Sequence, residues 1–138
     1  MNDSLIRSVP CSLNAPLLNA DRRLLAGLIN RLHHSQDLAV GSEAITDILG
    51  ELTAYAFETL SREEQVLAAI GVAMSTRHAR EHLRFQEYIA NHCLQAALGV
   101  NATKELLHFL IAWWHDHILG TDLADIRTHG PNLGLSPP

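Results

Sequence analysis

The chain has 138 residues, 47% of them hydrophobic, and a formal net charge of −5. That is enough for one domain with a full core and too little for two, and with no strongly basic window it argues against nucleic acid as a partner. No segment approaches 18 uncharged apolar residues, Arg7 and Pro10 interrupt the stretch a secretory peptide needs, and Cys11 and Cys93 lie far apart without a CxxC; a cytoplasmic protein with free thiols and no membrane contact is expected.

Aromatic residues make up only 5% of the chain while Leu and Ala abound, which suits an all-α class packed through aliphatic side chains. Residues 1–18, with Pro10 and Pro16, read as an N-terminal arm. From Asn19 the pattern becomes helical: Leu24, Leu25, Leu28, Ile29 and Leu32 form one stripe, ending near His33-His34-Ser35. Gly41-Ser42 caps a second, long helix reaching to about Ala69, with Ile45, Ile48, Leu49, Leu52, Tyr55 and Ala56 inward. Ser75 caps a third, with Leu83, Tyr88, Ile89 and Leu94 as core candidates and Gly99 as its stop. Asn101 to Lys104 opens the fourth, whose stripe holds Leu106, Leu107, Leu110, Ile111 and Trp114. Short connections between such helices favour an antiparallel up-down-up-down four-helix bundle over residues 19–125, followed by an irregular Gly- and Pro-containing tail over 126–138.

Ionisable residues in register with these apolar stripes need a reason to be there. His78 and His82, four apart, place two imidazoles on one helix face roughly 5 to 6 Å apart, a chelating spacing. With nine histidines in the chain roughly 0.6 such pairs would arise by chance, so the pair alone carries little. Glu63 on the second helix and His117 with Asp122 on the fourth are the companions that strengthen it, since three helices then converge three imidazoles and two carboxylates. Nitrogen and oxygen donors without thiolate suit iron or manganese better than structural zinc. His92 reads as a surface or boundary histidine, His108 as packed in the core or bonded to a carbonyl, His115 as exposed, His34 and His129 as solvated, and Arg62 with Glu64 as a solvated face.

These residues resemble the bacteriohemerythrin, or hemerythrin-like, family. The matching text is Leu28 to Leu32, Phe57 through Glu63-Glu64, His78-Ala79-Arg80-Glu81-His82, and Trp113 to Asp122 with its W-x-x-x-H-I-x-x-x-D pattern; the fifteen-residue step from Glu63 to His78 agrees as well, and the likeness spans about residues 19–123. The resemblance implies a bundle around two irons bridged by one Glu and one Asp, one iron bound by three histidines and the other by two, with reversible binding of dioxygen. Carried over, Glu63 and Asp122 match the bridging carboxylates and His78, His82 and His117 the three-histidine iron. Trp113, with Trp114, Ile118 and Tyr55, falls at the pocket positions.

The second iron's two histidine positions hold Arg22 and Thr59, and Asp21 is the only local substitute on the first helix. An inward Arg22 would supply the positive charge of the missing cation to Glu63 or Asp122. One iron per chain is therefore favoured over two, with manganese or zinc as other metals the donors admit, and with a diatomic ligand such as dioxygen or nitric oxide. The competing expectations are a mononuclear non-heme iron oxidoreductase and a metal-poor interaction or sensory module that keeps the fold.

Overall fold

The computed structural model describes the backbone of residues 16–122 and the side chains of residues 19–121. Residues 1–15 of the expected arm, the tail over 126–138, Cys11, His129 and the side chain of Asp122 lie outside the described residues.

Four helical rods follow one another: α1 (Pro16–Ser35); α2 (Glu43–Ala54) continued by a π-helical segment π1 (Tyr55–Thr59) and α3 (Leu60–Ala69); α4 (Thr76–Ala97); and α5 (Thr103–Trp113) continued by a second π-helical segment π2 (Trp114–Asp122). The connections, residues 36–42, 70–75 and 98–102, are too short to cross the length of a helix, so neighbouring rods run antiparallel and form an all-α four-helix bundle. No helix among the described residues is long and apolar enough to cross a membrane.

Local chemistry explains the ends. Ser42 and Ser75 sit at extended backbone angles before α2 and α4, and their hydroxyls accept from the amides of Ile45 and His78. Gly71 and Gly99 take φ of 82° and 85°. Each closes a Schellman turn, with Val72 N–H bonded to the Leu67 carbonyl and Val100 N–H to that of Gln95. Helix α1 begins at Pro16, so Pro16 to Leu18, assigned to the arm by the sequence, are helical; proline is tolerated in a first helical turn because no intrahelical donor is needed there.

Two expectations about the core change. The long second helix is not uniformly α: at Leu60 the amide bonds back five residues to the Tyr55 carbonyl, the signature of π winding. In α4 the sequence favours Leu83 and Leu94, which are 54% and 61% exposed, while the buried stripe runs His78, His82, Phe85, Ile89 and His92. Imidazoles occupy inward positions of that stripe, so a search for apolar periodicity alone picks the wrong phase. Leu24 is likewise exposed and Ile111 only half-buried.

The interior is divided along its length. Leu28, Ile29, Ile48, Leu52, Ile89 and Leu106 fill one part with aliphatic side chains. Antiparallel order brings the start of α1, α3, the start of α4 and π2 to the other end, where Asp21, Arg22, Thr59, Glu63, His78, His82, His117 and Thr121 are all buried. So many buried polar groups at one end require compensating partners.

Candidate metal centre

The centre starts from a cap. Ser75 Oγ accepts from His78 N–H at 3.1 Å, fixing the first turn of α4 so that His78 and His82 stand one turn apart on its inner face. His117 enters from π2. His82 Nε2 lies 3.1 Å from His78 Nε2 and 3.2 Å from His117 Nε2, and the ligand atoms of the three buried histidines all fall within 4.8 Å of one another.

The other ring nitrogens decide what this cluster can do. His82 Nδ1 is 2.9 Å from Glu64 Oε2, and His117 Nδ1 is 2.7 Å from Glu81 Oε1. A carboxylate only accepts, so each Nδ1 donates and carries the hydrogen; the neutral rings then turn their Nε2 lone pairs toward the common point. Lone pairs facing one another this closely repel unless a cation sits between them. Three imidazole nitrogens sharing one face of an ion at about 2.1 Å would stand about 3.0 to 3.4 Å apart, and both separations from His82 Nε2 fall in that range. The donor set therefore fits a single metal ion.

Glu81 is itself anchored, accepting from Arg77 Nε at 2.9 Å. Burial raises its pKa, but hydrogen bonds from His117 and Arg77 outweigh this and hold the carboxyl below its ordinary value. Trp113 lines the cluster, its indole 3.9 Å from the His117 ring and stacked to within 10°, with Phe85 4.5 Å behind it. The Trp113 N–H is buried without an acceptor among the described residues. Tyr55, Trp114 and Ile118 are buried as well, Tyr55 edge-on to Phe85 at 5.4 Å.

Of the five expected ligands, the structure brings together His78, His82 and His117. Glu63 is buried at the same end of the bundle, 2% exposed, but stands outside the tight group of three. Asp122 closes π2, five residues after His117, and its side chain is outside the described residues. Arg22 is 2% exposed and Thr59 is buried, both at this end, so neither faces water. Asp21 is paired with Arg62, which makes it part of an ion pair rather than a free donor.

Sequence reasoning missed Glu64 and Glu81, and took Glu64 with Arg62 for a solvated face. Each directly neighbours a site residue in sequence, Glu63 or His82, and so sits where it can reach a ligand on the adjoining rod. His108 is exposed rather than packed in the core, because its position turns away from the α5 stripe of Leu106, Leu107 and Leu110. His92 is buried rather than at the boundary, on the inward stripe of α4. His115 is exposed, as its two-residue offset from His117 requires.

No curated protein and no solved structure matches the chain. The family model for the hemerythrin HHE cation-binding domain matches residues 16–124, the whole bundle including every residue of the centre. With a buried histidine triad arranged to hold a metal ion inside that match, the chain belongs to the hemerythrin HHE cation-binding family.

Proposed function

We propose that the protein binds one iron through His78, His82 and His117, with Glu63 and Asp122 completing the donors, and that it binds or senses a diatomic gas such as dioxygen or nitric oxide in the cytoplasm. The observation that carries the one-metal reading is the burial of Arg22 at the same end of the bundle as a complete triad. A guanidinium is never neutral in a protein and cannot ligate a cation; it takes up the place and the charge of one. We take Glu63 as its partner, a carboxylate that the two-iron pattern would assign to a bridge. Thr59 offers a weak neutral oxygen where that pattern has an imidazole.

A bound iron would supply an open coordination position for the gas. The chain's own contribution is to hold three Nε2 lone pairs in place, to keep water out with Trp113, Trp114 and Ile118, and to present the unpaired indole N–H of Trp113 as a donor. Anaerobic loading with ferrous iron followed by nitric oxide tests this: one iron per chain and a nitrosyl absorption band are expected, and neither should form in His82→Ala.

One observation favours a second reading, a mononuclear iron oxidoreductase. A cleft of about 230 Å³ between α4 and the last rod is lined by His117, Trp113, Phe109, Arg77 and Arg84, and would admit a small organic substrate. Dioxygen uptake that depends on such a compound would favour it over gas binding.

A further inference from the structure

We propose that Glu64 and Glu81 are positioning residues that clamp two of the histidines from the neighbouring rod, and that Glu81 is the dominant clamp. The inference rests on the reading of the triad as a metal site.

The geometry is reciprocal across the bundle. Glu64 on α3 holds His82 of α4, and Glu81 on α4 holds His117 of π2. Each bond fixes both the ring plane and the tautomer, leaving Nε2 unprotonated on the inner side. The two clamps differ in what holds them. Glu64 has a side chain 43% exposed and bonds His82 alone among its recorded partners, so water competes for it and its rotamers stay open. Glu81 is 19% exposed and gripped at one oxygen by Arg77 while the other receives His117. It also sits next to His82 in sequence, so the turn of α4 that supplies one ligand orients another.

Removing an outer partner of a metal-bound histidine typically weakens metal binding about 10- to 100-fold. Glu81→Ala should fall in that range. Glu64→Ala should cost only a few-fold, and so should Arg77→Ala, which takes away the second anchor of Glu81 and leaves the His117 bond. Glu81→Gln keeps an acceptor oxygen for Nδ1–H and should recover most of the loss.

The test pairs cobalt(II) titration of the full-length protein with ¹⁵N imidazole spectra of the metal-free protein, which report the tautomer of each ring without any metal. Expected are a His117 ring protonated at Nδ1 in the wild type, mixed tautomers in Glu81→Ala, and recovery in Glu81→Gln. Circular dichroism confirms that each variant is helical, and Glu81→Leu, which also removes the acceptor but keeps the side chain's bulk, takes over if Glu81→Ala does not fold. If wild type binds no cobalt, or His82→Ala binds it equally well, the metal-site reading fails, while the tautomer spectra still judge the clamps. If wild type binds cobalt and Glu81→Ala matches it in affinity and tautomer, or Glu64→Ala costs more than Glu81→Ala, the clamp proposal is overturned.

Discussion

The indole of Trp113 lies flat on the imidazole of His117, centroids 3.9 Å apart and planes 10° from parallel. Contact of this kind couples the tryptophan's emission to whatever binds at the far side of the ring. Metal binding should quench fluorescence strongly in the wild type and in Trp114→Phe, and weakly in Trp113→Phe. Emission titrations of the three proteins check this, and equal quenching in all would show that Trp113 does not report on the site.

Arg22 and Thr59 are buried at the centre's end of the bundle, and the one-metal proposal takes them as replacements for two histidines of a second iron. Restoring both should rebuild a second site, so the double variant Arg22→His with Thr59→His is expected to rise from one metal to two per chain. Arg22→Ala alone should destabilise the protein by about 3 to 5 kcal/mol, the usual cost of leaving a buried charge without its partner. Urea unfolding measures the second effect and metal analysis the first.

Ser75 caps α4 through the amide of His78. Ser75→Ala should lower stability by about 1 kcal/mol and also weaken metal binding, because the frayed turn is the one that carries a ligand. Ser42→Ala, which removes the corresponding cap from α2 far from the triad, should cost similar stability with no change in metal affinity.

Much of the bundle was legible because its signals are local. Capping serines and stopping glycines marked Ser42, Ser75 and Gly99, and the stripe from Ile45 to Ala56, across α2 and the start of π1, is buried throughout. The histidine triad was legible for the same reason, as a spacing of four on one helix plus a motif on another. What escaped depends on contacts between rods. Leu83 and Leu94 were favoured over Phe85 because the inward face of α4 is partly polar, and only packing reveals the phase. Glu64 and Glu81 are ordinary helix-surface glutamates until a neighbouring rod presents an imidazole to them. The π winding of Tyr55–Thr59 and Trp114–Asp122 leaves no compositional mark.

His92 is a buried imidazole outside the centre, with its Nε2 unpartnered among the described residues. Burial pushes its pKa below the ordinary value, against the raising effect of the Glu105 charge. The unfolded chain then binds more protons between the folded value and about 6.5, so stability is full above that pH and falls as pH drops through the window. Melting temperatures from about pH 7.5 to 5 should decline more steeply for wild type than for His92→Leu. Parallel curves would show that His92 adds nothing to acid sensitivity.

The most direct test of the account is the iron content of the purified, fully loaded protein, measured with its absorption spectrum. One iron per chain and no oxo-bridge band is the predicted result, lost altogether in His82→Ala. Two irons per chain with an oxo-bridge band would contradict it, since Arg22 and Thr59 would then not have displaced the second metal.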